Sequence, residues 1–132
     1  MENKKITIGA LAKTAGVGVE TIRFYERKGL LKQPHKSGGF RYYLPELATR
    51  IRFIKRSQEL GFTLKEAQEL LDLKLKSKAK CEDVLNKTES KIKEIEEKIK
   101  DLNNMKKSLI KLADCCESRD LSLSECPILE RF

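Results

Sequence analysis

The residues of this chain best suited to chemistry are its four cysteines: Cys81, the adjacent pair Cys115-Cys116, and Cys126. Sulfur binds metal as the thiolate, and thiolates favour mercury, lead, cadmium, copper(I) and zinc over hard, oxygen-seeking cations. The single histidine, His35, lies far from them in sequence, so no imidazole accompanies the thiols. Zinc is well served by mixed sulfur and nitrogen or by four sulfurs in a tetrahedron. Three thiolates with no fourth donor suit a trigonal mercury(II), lead(II) or cadmium(II) better. Cys81 precedes Glu82-Asp83, acidic residues favoured in a helix's first turn, and is expected at an N-cap. Cys126 precedes Pro127, which favours the first helical position. Free N–H groups at both places favour a negative sulfur. Cys115 and Cys116, beside Asp114 and Glu117, gain nothing from a helix C-terminus. An enzyme fits poorly, because no histidine stands by as base and no glycine-rich phosphate loop follows a strand. An iron–sulfur sensor would need its cysteines clustered in one region. Thiols that respond to oxidants or electrophiles remain the alternative to a metal site.

The element that must position these thiols is the stretch from Cys81 to Cys116. Its positions Leu85, Thr88, Ile92, Ile95, Ile99, Leu102, Lys106, Leu109 and Ala113 alternate by three and four, the spacing of a helix seam built for another helix. No Gly or Pro interrupts it. At 1.5 Å per residue such a helix is roughly 50 Å long, more than a domain of this size can cover. A second copy of the chain is the natural partner, in a parallel or antiparallel two-helix coiled coil.

Charge divides the chain in the same way. The formal net charge is +8, but residues 1–80 hold 18 Lys/Arg against 8 Asp/Glu and residues 81–132 hold 10 against 12. The first part, at +10, is the candidate nucleic-acid surface, and the second, at −2, the candidate dimer and ligand module. No apolar run approaches a membrane span, and Met1-Glu2-Asn3-Lys4-Lys5 lacks the apolar core of a signal peptide. We therefore expect a soluble, cytoplasmic protein with no membrane partner. Four cysteines in a reducing compartment read as metal ligands or free thiols rather than a disulfide framework.

Within the basic part, Thr7 can cap a short helix, Ile8 to Ala15, that Gly16 ends. A second helix, Val19 to Lys28, closes at Gly29, and the pair reads as a helix-turn-helix. The second helix is short, basic and aromatic, as a major-groove reader should be. Leu30-Leu31 and Phe40-Arg41-Tyr42-Tyr43, flanking Ser37-Gly38-Gly39, read as a β-hairpin, the wing of a winged helix. Arg41, Tyr42 and Tyr43 suit phosphate oxygens, with one tyrosine of the pair expected inside and one outside. Pro45 is expected to open a third helix with Leu47, Ile51, Phe53 and Ile54 buried. Thr63-Leu64-Lys65-Glu66 is a capping box starting a fourth helix through Leu71. Residues 76–80 are a lysine-rich connector, and Cys126-Pro127-Ile128-Leu129-Glu130 can begin a last helical turn.

Taken in order, Ile8-Gly9 with Leu11-Ala12, Glu20-Thr21-Ile22-Arg23-Phe24-Tyr25-Glu26, Gly29-Leu30, Gly39-Phe40-Arg41-Tyr42-Tyr43 and Phe53-Ile54 followed by Leu60-Gly61-Phe62-Thr63-Leu64 resemble the MerR family of bacterial regulators. The resemblance spans essentially the whole chain. It implies a mainly α fold: a winged helix-turn-helix DNA-binding domain (1–75), the connector (76–80), a dimerisation helix forming an antiparallel coiled coil (81–114), and a metal-binding loop with a C-terminal turn (115–132). It implies a homodimer on double-stranded promoter DNA with Thr21, Arg23, Tyr25, Arg41, Tyr42 and Tyr43 as contacts. It also implies that effector binding untwists and bends the DNA so that bacterial RNA polymerase finds both promoter elements. Cys81 from one subunit with Cys116 and Cys126 from the other resembles the three-thiolate site of the mercury(II)-responsive members, and Cys115 is the alternative to Cys116. The nine-residue loop between Cys116 and Cys126 looks one residue longer than in those members. The adjacent cysteine pair is similar to the zinc-sensing branch. Hg(II) is the expected effector, with Cd(II), Pb(II) or Zn(II) as alternatives.

Overall fold

The computed structural model describes residues 4–132. Met1, Glu2 and Asn3, part of the N-terminal stretch considered above, lie outside the described residues. The chain forms two compact units, one through Val84 and one from Leu85.

The first unit begins with a short strand β1 (Ile6–Thr7) and helix α1 (Ile8–Ala15). Thr7 Oγ1 accepts the Ala10 N–H at 3.2 Å, and Gly16 in the left-handed region (φ 72°) closes the helix, both as its residue type favours. Helix α2 (Val19–Arg27) follows, and the chain leaves it through Gly29, whose N–H reaches the Glu26 carbonyl while the Leu30 N–H reaches that of Tyr25. This paired closure of a helix end needs the positive φ that glycine supplies.

The wing is the two-residue hairpin of β2 (Lys36–Ser37) and β3 (Phe40–Tyr43), turned by Gly38 and Gly39 with φ of 61° and 86°. Positive φ at both central residues is the turn that matches strand twist, which is why two glycines stand there. β1 adds to the other edge of β3, giving the antiparallel order β1-β3-β2 with Ile6 opposite Tyr43 and Lys36 opposite Arg41. The expected strand at Leu30-Leu31 is absent. Both leucines are buried in the core, whereas a strand with one exposed face would bury only alternate residues.

Helix α3 (Leu47–Glu59) starts after Pro45 rather than on it, and Pro45 lies in the preceding turn. Its fully buried positions are Ala48, Ile51, Ile54 and Ser57; Leu47 and Phe53, expected inside, are half-buried. Gly61 ends the helix at φ 91°, and the Thr63–Glu66 capping box opens α4 (Leu64–Leu75), four residues longer than expected. The core gathers Leu11, Ile22, Tyr25, Leu30, Tyr43, Ile51, Ile54 and Leu71 from every element before α5 except β1 and β2. Helix α5 (Cys81–Asp114) is continuous. A short 3-10 turn, Leu123–Glu125, and helix α6 (Pro127–Glu130) complete the second unit. Among the described residues no helix is long and apolar enough to cross a membrane.

Candidate nucleic-acid interface and metal-binding thiols

The six side chains expected at DNA divide in two. Arg23 and Tyr42 are exposed, and Thr21 and Arg41 are half-buried at the surface. Tyr25 and Tyr43 are core residues, each 2% exposed, so as DNA contacts they give way to the other four. Tyr25 faces inward because it shares a helix side with Ile22, and its hydroxyl donates to Gln58 Oε1 on α3 at 2.7 Å. Tyr42 and Tyr43 point to opposite faces of β3, one out and one in, as strand geometry requires.

Tyr43 links the wing to α2. Its hydroxyl donates to Glu26 Oε2 at 3.0 Å, while Glu26 Oε1 is buried without a hydrogen-bond partner among the described residues. Burial pushes the Tyr43 phenol up to about 12, helped by the Glu26 carboxylate and opposed by the charges of Arg41 and Arg23. Between helix and wing lies a cleft of about 300 Å³, whose lining includes Arg23, Glu26, Lys36, Arg41 and Tyr43. Lys36 was not among the expected contacts. Its place opposite Arg41, two residues before Gly38, was the available signal.

Several cations that a count of charge assigns to DNA donate to backbone carbonyls of the fold. Arg52 Nη1 donates to the Thr14 carbonyl at 3.1 Å and Lys55 Nζ to that of Gly16 at 3.1 Å, both at the C-terminal end of α1. Arg50 Nε donates to the Leu30 carbonyl at 2.9 Å. Cations are favoured at helix C-termini, so these residues of α3 staple the two preceding helices. Arg41 places Nε on the Pro34 carbonyl at 3.0 Å, and its terminal nitrogens make no hydrogen bond among the described residues. Among the described residues Arg23 makes only a 3.6 Å ion pair with Glu20, both groups more than half exposed, an arrangement of little strength.

The four cysteines are free thiols. Cys81 is exposed and is the first residue of α5, not its cap: Asp83 Oδ2 accepts the Lys80 N–H at 2.8 Å, setting the helix start one residue earlier than expected. Cys126 is the N-cap of α6 with Pro127 following. Cys116 is exposed, whereas the Cys115 thiol donates back to the Lys111 carbonyl at 3.3 Å. No group of three or more His, Cys, Asp or Glu comes together to hold a metal within one chain, among the described residues.

Comparison with known proteins places this architecture. A family model described as "MerR HTH family regulatory protein" matches residues 6–74, and one described as "MerR, DNA binding" matches residues 48–112. The chain belongs to the MerR family. It therefore carries that family's helix-turn-helix DNA-binding domain, followed by a long helix, in a class of transcriptional regulators rather than enzymes. A MerR relative from Pseudomonas fluorescens, the mercuric resistance operon regulatory protein, is 46% identical, over 98% of this chain and 90% of that protein. The crystal structure of MerR from Bacillus megaterium MB1 in complex with mercury(II) is 42% identical, with a TM-score of 0.73 over 96% of this chain and 98% of that one. That of the lead(II)-bound regulator PbrR691 from Ralstonia metallidurans CH34 is 34% identical, with a TM-score of 0.86 over 96% and 98%.

Proposed function

We propose that this chain is a mercury(II)-responsive regulator that binds promoter DNA as a homodimer and activates mercury resistance genes. The observation that carries the reading is the placement of three free thiols: Cys81 opens α5, and Cys116 and Cys126 follow its other end. The similarity to regulators named for mercuric resistance supports the same effector. Three soft sulfur donors with no histidine suit a trigonal soft cation, so the donor set fits the ion. The 34-residue α5 separates Cys81 from Cys116 along one chain, so a site completed by a second chain is favoured. In it Cys81 of one subunit joins Cys116 and Cys126 of the other. Bound there, the ion supplies a bridge between the two subunits.

DNA recognition falls to Thr21 and Arg23 on α2 and to Arg41 and Tyr42 on the wing, with Tyr25 and Tyr43 holding those elements in place. The apolar positions Ile92, Ile95, Ile99 and Leu102 are 39–62% exposed on a single chain, and the coiled coil covers them. Distortion of the promoter by the metal-loaded dimer lets RNA polymerase engage it. Lead(II) is the second reading, favoured by the backbone likeness to the lead(II)-bound regulator.

The deciding experiment titrates Hg(II), Pb(II), Cd(II) and Zn(II) into promoter-dependent transcription with excess competing thiol. Half-maximal activation at the lowest free concentration by Hg(II), with one ion per three protected thiols, supports the proposal. Activation by another metal at lower concentration replaces the effector. Activation by peroxide or an electrophile with no metal bound replaces metal sensing altogether.

A further inference from the structure

The cleft between α2 and the wing contains a carboxylate of which the fold uses one oxygen. Glu26 sits among cations, yet only Oε2 is used, by Tyr43, and Oε1 is buried with no partner among the described residues. Leaving a buried acceptor unpaired is unfavourable, more so for a charged one. A donor that could reach it is close. Arg23 lies three residues earlier on the same helix, a spacing at which side chains meet, and both line the cleft. The influence of its charge on the Tyr43 phenol places it in the same neighbourhood. Its present partner, Glu20, holds it weakly at 3.6 Å. Arg41 is less free to move, since its Nε is bound to the Pro34 carbonyl.

We propose that Glu26 is a positioning residue for sequence reading by Arg23. Oε2 fixes the wing through Tyr43, and Oε1 takes the Arg23 guanidinium from behind when α2 enters the major groove. A guanidinium reads guanine with two parallel N–H groups, and a carboxylate on its far side holds the plane of that fork. Arg23 thus exchanges Glu20 for Glu26 on docking, and the cost of the unpaired oxygen is relieved only in the complex. This inference rests on the reading of the chain as a DNA-binding dimer.

The test compares two probes: the duplex best bound by the wild-type protein from a randomised pool, and a mixed-sequence duplex of equal length. Glu26→Gln keeps an oxygen for Tyr43 but puts an NH₂ where Arg23 needs an acceptor. We expect it to lose about tenfold in affinity for the selected duplex, in the range of one well-made base contact, with mixed-sequence binding unchanged. Arg23→Ala should lose a similar factor, and the double variant no more than Arg23→Ala alone, because the two residues act as one unit. Tyr43→Phe should keep discrimination within about twofold of wild type, since its carboxylate neighbour survives. Discrimination by Glu26→Gln equal to wild type overturns the proposal. So does a double variant whose losses multiply. Should the Gln variant fail to fold, Tyr43→Phe decides: loss of discrimination there traces the effect to wing docking instead. If the wild-type protein selects no duplex at all, the DNA-binding reading falls together with this one.

Discussion

The Tyr25 hydroxyl on α2 donates to Gln58 Oε1 on α3 at 2.7 Å, so an aromatic of the recognition helix is anchored in the interior rather than offered to DNA. Tyr25→Phe should therefore act on stability. It leaves the Gln58 oxygen without its donor, at a cost of about 1 kcal/mol, and Tyr25→Ala should cost about 3–5 kcal/mol by opening a cavity. Burial, then the charge of Glu59, raises the Tyr25 phenol above its ordinary 10.0. A raised phenol favours the folded state through its neutral form. Its contribution is fully present below about pH 10 and is lost as pH rises through the folded value. Urea melts at neutral and alkaline pH should show that alkaline sensitivity reduced in the Phe variant. DNA affinity measured on fully folded Tyr25→Phe should match wild type.

Arg41 and Arg52 look alike in a charge count but differ in what they touch. Arg41→Ala removes a candidate phosphate contact and should weaken DNA binding across sequences, reducing the salt slope by about 1. Arg52→Ala loses the donor to the Thr14 carbonyl and should cost roughly 0.5–1 kcal/mol of stability with an unchanged slope. Binding isotherms at four or more salt concentrations separate the two. An Arg41→Ala slope equal to wild type would remove the wing from the phosphate contacts.

How much of this was legible before the structure follows from how local each signal is. Thr7, Gly16, Gly38-Gly39, Gly61 and the Thr63–Glu66 box act through their own turn, so their residue types sufficed. The strand at Ile6–Thr7 was missed because two residues carry no period; only the approach of Tyr43 and Tyr42 makes them a strand. Leu30-Leu31 misled because two adjacent buried leucines fit a strand or a core crossing equally well. Cationic residues on α3 gave no sign of which would turn to carbonyls, since Arg and Lys serve a phosphate and a helix end through the same N–H groups. At the thiols, Pro127 announced the cap at Cys126, whereas Asp83 reaching back to Lys80 displaced the expected cap from Cys81. The bond from the Cys115 thiol to the Lys111 carbonyl depends on the path of the chain at the end of α5, which residue type does not encode.

Dimerisation is expected to rest on the apolar seam of α5. Ile99 lies mid-way along α5 and is 53% exposed on one chain, a large apolar surface for an uncovered helix. In a coiled coil it would be buried, and Ile99→Asp would place an unpaired charge there. Sedimentation should show monomers, with loss of both DNA binding and stoichiometric metal binding. An intact dimer for this variant would relocate the interface away from the Ile92–Leu102 seam.

The thiols are expected to assemble across two subunits. Helix α5 has 34 residues, and at 1.5 Å per residue its two ends stand about 50 Å apart. Antiparallel pairing would bring Cys81 of one subunit to the end of the other's helix, beside Cys116 and Cys126, giving two equivalent sites per dimer. Cys81→Ser, Cys116→Ser and Cys126→Ser should each abolish metal-induced transcription while leaving apo DNA binding intact. Cys115→Ser should be nearly silent, because its thiol is already donated to the Lys111 carbonyl. Metal binding should release protons from any thiol not already ionised. The decisive measurement mixes a Cys81→Ser subunit with a subunit carrying Cys116→Ser and Cys126→Ser. Neither homodimer holds a full set of three thiols. In the heterodimer one site keeps all three and the other keeps none, so metal capacity should return to half that of wild type. If mixing restores no binding although heterodimers form, the ligands do not come from two subunits, and the antiparallel assignment of the site falls with them.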